Sequence, residues 1–231
     1  MIRLRKSNER LHTVQGGQET WQSFSSDGSV DPVPGFRSLQ SFREVSLAPG
    51  AAIQFQAGRD LEVLTYVWIG SLLMEDPGGT TVMLETGEFH RSAAKPGAIH
   101  RGTNGSLVEP ARHFQFLITP DRKVGQTPAE KRRFPMAERR GILRLLGSRS
   151  GRDASLRLRQ DVSVYSSILD SGHHLIHEMA PERGAWLHVV NGRIQLVDHV
   201  LEAGDEAFLV EEAAVSLTAR GPSEILLLDL I

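Results

Sequence analysis

The stretch GAAIQFQAGRDLEVLTYVWIG, residues 50–70, begins and ends at a glycine and contains a largely apolar run. That run, Val63 to Ile69, is rich in β-branched and aromatic side chains and is too short for a typical helix, so it predicts a strand. A second segment, PGAIHRGTN at residues 96–104, opens on a Pro-Gly turn. These two segments set the pattern that the rest of the chain follows.

Further short strands are predicted before, between and after these two segments. Apolar alternation returns from Leu39 to Leu47, and Gly, Pro and Asn residues separate the further segments as turns. The other predicted strands of this half are Leu72 to Met74, Thr80 to Leu84, Phe89 to Ser92, and His113 to Ile118. Short strands at this turn spacing predict an all-β fold, an antiparallel barrel or sandwich.

The second half of the chain repeats the pattern of the first. The matched segments are Leu47 to Gly50 with Leu169 to Gly172, Trp68 to Gly70 with Val190 to Gly192, and Leu84 to Gly87 with Leu201 to Gly204. The glycines are 122, 122 and 117 residues apart, which predicts two copies of one unit. We expect an N-terminal domain at 1–125 with an irregular lead-in over 1–41, and a connector with a C-terminal domain at 126–231.

The composition of the chain narrows the classes of partner and chemistry that are expected. The formal charge of -2 and the pI near 6.5 give no global reason to expect nucleic acid or an anionic membrane surface. Without Cys there is no disulfide or thiol nucleophile, and no apolar run approaches the roughly 18 residues of a spanning helix. We expect a cytoplasmic protein with no membrane partner.

One segment, residues 121–160, is strongly basic, with twelve Lys or Arg against four Asp or Glu. Its part from Pro128 to Phe134 could form one or two helical turns, with Thr127 as N-cap. A nucleic-acid interface would interleave aromatic residues with the charge, and Phe134 is the only one in the segment. A solvated, partly helical connector is therefore favoured, with nucleic acid an unlikely partner.

The segments at residues 50–70 and 96–104 resemble the two-part signature of the cupin barrels. The sequence motifs that flank them resemble the pirin branch of the two-cupin (bicupin) proteins. In that family His-x-His and His-x-Glu together hold one metal ion. The corresponding positions here are Gln56, Gly58, His100 and Gly102, so one ligand of four is present. The lead-in word Asp31-Pro32 and the segment at 148–172 are also similar to pirins.

The resemblance implies a fold of two jelly-roll cupin domains. Pirins with the full ligand set are non-haem iron proteins, some acting as quercetin dioxygenases and others as nuclear transcription cofactors. Because three ligand positions differ, the chain looks more like the metal-less bacterial branch, whose role is not settled. We therefore expect no metal cofactor and no catalytic residues, with iron or another divalent metal as the alternative.

A small polar pocket is expected near Gln56, His100 and Gln115. Gln115 shares a strand face with His113 and Leu117 and matches a Gln that is usual in pirins. His100 is interpreted either as a remnant ligand or acid/base, or as a histidine satisfied by hydrogen bonds at the barrel mouth. In the second copy Glu178, Ala180 and Leu217 fall at the positions of Gln56, Gly58 and His100, so the C-terminal domain is expected to be structural.

Three functions stay open at this point. The favoured one is the binding of a small molecule or a protein partner in a regulatory role. The enzyme alternative is a quercetin 2,3-dioxygenase with a rebuilt site, using His100, His113 and a neighbouring carboxylate. The third is a transcription-complex partner that uses the basic connector. His173, His174 and His177 are interpreted as surface histidines.

Overall fold

The structure is a computed structural model that describes residues 1–24, 34–75, 79–121 and 128–231. Strands make up 61% of the chain and helices 5%, so the all-β prediction is confirmed. The Asp31-Pro32 word and the Thr127 cap lie outside the described residues. Across the part of the chain that is described, helices are too short and too polar to traverse a lipid bilayer.

The strands of the first half are short and fall where turn residues divide the sequence. They are β1 (Ile2–Arg5), β2 (Leu11–Gln15), β3 (Gln18–Gln22), β4 (Leu39–Leu47), β5 (Ala52–Gln56), β6 (Leu61–Ile69), β7 (Ser71–Glu75), β8 (Thr81–Glu85), β9 (Glu88–Ala94), β10 (Ile99–Asn104) and β11 (Ala111–Ile118). Every strand that the sequence predicts in this half is present.

The second half opens on a short strand and one helical turn before its repeat begins. The elements are β12 (Glu130–Arg133), α1 (Met136–Arg139), β13 (Arg144–Ser148), β14 (Leu156–Arg157), β15 (Val162–Leu169), β16 (His174–Glu178), β17 (Gly184–Asn191), β18 (Arg193–Leu196), β19 (His199–Glu202), β20 (Glu206–Val210), β21 (Ala214–Ala219) and β22 (Ser223–Leu230). Two 3-10 turns, Ser7–Glu9 and Arg152–Ala154, complete the list.

The chain divides into two compact units, and each is built from one seven-stranded and one four-stranded sheet. The N-terminal unit has the orders β12-β9-β6-β11-β4-β3-β2 and β5-β10-β7-β8. The C-terminal unit has β1-β20-β17-β22-β15-β13-β14 and β16-β21-β18-β19. The order β5-β10-β7-β8 recurs strand for strand as β16-β21-β18-β19, which confirms the internal repeat. Each unit is thus a jelly roll of separate facing sheets.

The unit boundary differs from the expected one at residue 125. The N-terminal unit spans Leu11–Arg133, and the C-terminal unit combines Met1–Arg10 with Phe134–Ile231. The reason is strand pairing, because β1 lies antiparallel to β20 at the edge of the C-terminal seven-stranded sheet. The lead-in is therefore shared between the two units.

The repeated glycines have a steric cause. Gly70 and Gly192 both have positive φ, and an added Cβ would lie 2.7 Å from the Pro110 carbonyl oxygen and 2.2 Å from that of Pro222, respectively. A left-handed backbone with a carbonyl at that distance admits only glycine. The same packing requirement therefore recurs 122 residues later.

Two parts of the chain differ from the sequence prediction. The lead-in contains a hairpin, β2–β3, because Gly16 and Gly17 both take positive φ and form its two-residue turn. Residues 130–133 form the strand β12 against β9 where a helix was expected. Along this strand Lys131 pairs with Glu88 on β9 at 3.3 Å, and Arg133 pairs with Glu85 at the end of β8 at 2.8 Å.

The core of the N-terminal unit lies between its two sheets. Buried apolar side chains from both sheets meet in one cluster, Val45, Leu47, Ile53, Val67, Leu72, Met74 and Leu84. A second cluster contains Ala57, Leu61, Val63, Ala94 and Leu117. The polar residues considered below lie on these same inward faces.

Candidate functional site

His100 points into the N-terminal unit from β10. Burial alternates along this strand, with His100 and Gly102 buried and Ile99 and Arg101 exposed. Across the β5–β10 pair His100 lies opposite Phe55, and their rings stack with centroids 5.0 Å apart and planes 9° apart. Residues directly opposite in an antiparallel pair share a face, so Phe55 and His100 form one inward wall.

The facing sheet supplies a row of polar side chains across three strands. Gln115 on β11 lies opposite Thr65 on β6, which in turn lies opposite His90 on β9. His113 is two residues before Gln115 and shares its inward face, as the sequence predicted. All four side chains are buried, none exposing more than 3% of its surface.

We call His90, His100, His113, Thr65 and Gln115 the polar cluster. Within the described part of the chain, both imidazole nitrogens of His100 and of His113 lack a hydrogen-bond partner. The same holds for Nδ1 of His90, Oγ1 of Thr65 and Oε1 of Gln115. Buried polar atoms in native proteins are nearly always paired with protein or water, so this cluster has hydrogen-bonding capacity left for a bound molecule.

The histidines of the cluster are neutral at physiological pH. Burial lowers the pKa of His113 to about 4 and also lowers the pKa of His100. For His90, burial and then the nearby positive charge of Arg91 lower the pKa to about 4. Each neutral imidazole offers one N–H donor and one acceptor nitrogen, which suits hydroxyl and carbonyl groups better than ions.

The structure separates Gln56 from the rest of the expected pocket. Gln56 is exposed and lies opposite Ile99, on the outer face of β5. Its Nε2 donates to the carbonyl oxygen of Gly97 at 3.1 Å. The expectation that Gln56 points with His100 into a pocket is therefore wrong, because neighbouring strand residues face opposite sides.

The two glycine positions also fail to supply donors. Gly58 is exposed, and a Cβ there would meet nothing within 4 Å. Gly102 is buried, and a Cβ there would lie 3.3 Å from Sδ of Met74 and 3.4 Å from Leu72. No group of three His, Asp or Glu side chains able to hold a metal ion occurs among the described residues. A metal ion bound in the pirin manner therefore does not fit these four positions.

Sequence reasoning missed His90 and Thr65. The spacing of His90 to the other histidines forms no motif, and the signal exists only in the pairing of β9 with β6. In the repeat, strand register places His177 opposite Val215 as Phe55 lies opposite His100. The C-terminal counterpart of His100 is thus Val215, which corrects the expected Leu217.

Two jelly rolls repeated in one chain, with the candidate site inside the first, define a bicupin. The pirin family model matches residues 6–118, and the model described as quercetinase C-terminal cupin domain matches residues 145–230. The chain belongs to the pirin family.

Relatives match along the full length. The chain is 33% identical over 232 residues to a protein of Escherichia coli K12 named quercetin 2,3-dioxygenase, covering 100% of this chain and 99% of the relative. It is also similar to the solved structure of the bacterial pirin YhhW of Escherichia coli in complex with nickel(II), with a TM-score of 0.88, 30% identity, and 100% and 99% of the two chains covered. The structure of Escherichia coli YhaK has a TM-score of 0.76 at 28% identity, covering 92% and 93%.

Proposed function

We propose that the N-terminal unit binds a small, uncharged organic molecule that carries hydroxyl or carbonyl groups. The observation that supports this most directly is the unfilled hydrogen-bonding capacity of the polar cluster. Leaving a buried donor or acceptor unpaired costs about 1–3 kcal/mol. A ligand that pairs several of these atoms would recover that free energy.

The chemistry of the cluster defines the ligand class. The three neutral imidazoles, the Gln115 carbonyl and the Thr65 hydroxyl can pair with hydroxyl and carbonyl groups. The stacked rings of Phe55 and His100 add a flat wall on the opposite sheet. An ionic ligand would gain less, because no imidazole of the cluster carries charge at neutral pH.

Quercetin is a suitable probe, because it is uncharged in its protonated form and carries hydroxyl and carbonyl groups. We expect saturable quenching of tryptophan fluorescence on titration with quercetin. Gln115→Leu is expected to weaken binding about tenfold, since a lost hydrogen bond of 1–1.5 kcal/mol corresponds to that factor. Gln56→Leu makes the same chemical change on the outer face and should leave binding unchanged. Equal effects of the two substitutions would place the ligand elsewhere.

A second candidate is a metal-dependent quercetin 2,3-dioxygenase. It is favoured by the name of the Escherichia coli relative and by the nickel(II) bound to YhhW. Both observations count against the expectation that this protein has neither a metal cofactor nor catalytic activity. The four ligand positions argue against this candidate, because His100 is the one ligand of four that is present. Metal analysis of protein purified without chelator, with oxygen uptake in the presence of quercetin, separates the two candidates. Uptake that a chelator and His100→Ala both abolish would establish the enzyme.

Further proposals concern the partner and the location of the protein. A protein partner and a cytoplasmic location stay as proposals. Transcription-complex or nucleic-acid binding through residues 121–160 stays the third proposal, and two of its basic side chains, Arg133 and Arg139, are paired with Glu85 and Glu224 at 2.8 and 2.6 Å. Salt-sensitive retention on DNA would support it.

A further inference from the structure

The C-terminal unit contains an arginine that its neighbours hold only loosely. One terminal nitrogen of Arg152, Nη2, lies 3.4 Å from Oγ of Ser163 and 3.5 Å from the hydroxyl of Tyr165. Its Nε lies 4.0 Å from the Asp153 carboxylate. Hydrogen bonds from a guanidinium to a carboxylate are normally about 2.7–2.9 Å long, and the Arg152 side chain is 53% exposed. The guanidinium is thus positioned near two hydroxyls without a tight bond to any of these groups.

The neighbouring arginine, Arg183, is fully engaged in hydrogen bonds to carboxylates. Arg183 donates to Asp229 through Nε and to Oδ1 of Asp161 at 3.1 Å, so it has little capacity left for a ligand. Burial alone would raise the pKa of Asp229, but hydrogen bonds from His177 and Arg183 lower it below its ordinary value. Asp229 therefore stays a carboxylate.

The Asp229 carboxylate fixes which ring nitrogen of His177 carries the proton. Nε2 of His177 lies 2.8 Å from Oδ2 of Asp229, and a carboxylate only accepts, so Nε2 carries the proton. Among the described residues no hydrogen bond to the other ring nitrogen, Nδ1, is present. The His177 ring lies 5.0 Å from the ring of Tyr165. Nδ1 therefore carries a lone pair beside the Tyr165 ring and can accept, but not donate, a hydrogen bond.

The repeat supports a site at this place. Ser163, Tyr165 and His177 stand 122 residues after Ser41, Arg43 and Phe55. In the N-terminal unit that position borders the polar cluster, where the Arg43 guanidinium lies 5.6 Å from the Phe55 ring and Phe55 stacks on His100. The C-terminal group thus occupies the equivalent position in its own jelly roll, with different chemistry.

We propose that Arg152, Ser163 and Tyr165 form a second binding site, which takes a small organic carboxylate; the acceptor nitrogen Nδ1 of His177 lies outside it. The guanidinium of Arg152 matches a carboxylate in shape and charge, and the hydroxyls of Ser163 and Tyr165 can donate to its remaining lone pairs. The carboxylate of Asp153, 4.0 Å from Nε of Arg152, repels a doubly charged anion, so a monocarboxylate is preferred over phosphate.

The chain offers a selective reporter for this test. It contains two tyrosines, and Tyr66 belongs to the other unit and is buried. Full-length protein labelled with ¹³C-tyrosine is titrated with acetate at constant ionic strength, and phosphate is titrated in parallel. The Tyr165 signal is expected to shift saturably with acetate, the Tyr66 signal to stay fixed, and phosphate to bind more weakly.

Variants complete the experiment. Arg152→Gln is expected to weaken acetate binding about tenfold or more, because charge-assisted hydrogen bonds are lost. Arg193→Gln is the matched control, since Arg193 is similarly exposed at 58% and lies 3.8 Å from Glu202. Unchanged binding in Arg152→Gln, equal shifts of both tyrosines, or phosphate binding as tightly as acetate would each overturn the proposal.

Discussion

Phe55 and His100 lie directly opposite each other on β5 and β10, and their rings stack inside the N-terminal unit. This register fixes the direction of every other residue on the two strands. It turns Gln56 outward beside Ile99, and it turns Gly102 inward against Met74. Of the four positions compared with the pirin ligand set, Gln56 thus lies on the outer face of the sheet, and His100 and Gly102 lie on the inner face.

Gly102→Glu is expected to lower the free energy of unfolding by about 3 kcal/mol or more, because the side chain overpacks against Met74 and buries an unpaired charge. Gly58→Glu is the matched control and should change stability by less than about 0.5 kcal/mol, since a Cβ there meets nothing. Urea unfolding measures both. Recovery of Gly102→Glu by added nickel(II) would show that a latent metal site exists.

Stability is expected to fall as the pH drops from 6.5 towards 4. Protons bind more tightly to unfolded histidine, with its ordinary pKa of 6.5, than to His90 and His113, whose pKa values are lowered to about 4. Stabilisation is therefore present above pH 6.5 and lost as the pH falls to about 4, by on the order of 3 kcal/mol for each histidine.

Urea unfolding across this pH range checks that expectation. His113→Gln should flatten the dependence, because one of the two groups no longer titrates. His199→Gln, at an exposed position of the C-terminal unit, should leave it unchanged. A wild-type profile that is flat between these pH values would contradict the neutral state assigned to the buried histidines.

Gly192→Ala is expected to be much more costly than Gly172→Ala. Both glycines have similar φ values, 83° and 81°, so both substitutions carry about 1–2 kcal/mol of left-handed strain. Only at Gly192 does the new Cβ meet a carbonyl oxygen, at 2.2 Å, which adds roughly 1–3 kcal/mol of overpacking. Thermal or urea unfolding of the two variants gives the difference, and equal losses would rule out the close approach.

Arg139→Met is expected to destabilise the protein by about 3–5 kcal/mol, because it leaves the buried carboxylate of Glu224 without its guanidinium. Arg140→Gln removes the same charge from an exposed side chain, and its loss should stay below about 1 kcal/mol. The double variant Arg139→Met/Glu224→Leu should recover part of the loss. No recovery would mean that the pair acts through packing alone.

The sequence predicts strands well where apolar periodicity is local, and it predicts the repeat because turn glycines recur for steric reasons. It predicts the site less well. Whether Gln56 faces in or out depends on a register of one residue, and His90 joins the cluster only through its pairing beside β6. Such information lies in contacts between distant strands, which a single sequence does not display.

The pairing of β1 with β20 has a consequence for dividing the molecule. Between Arg5 and Glu206, which face each other across this pair, lie two hundred intervening positions that include the whole N-terminal unit. A fragment beginning at Phe134 would lack an outer strand and expose the backbone of β20 to self-association. Independent production of the C-terminal half therefore calls for a circularly permuted chain, in which residues 1–10 follow Ile231 through a short linker.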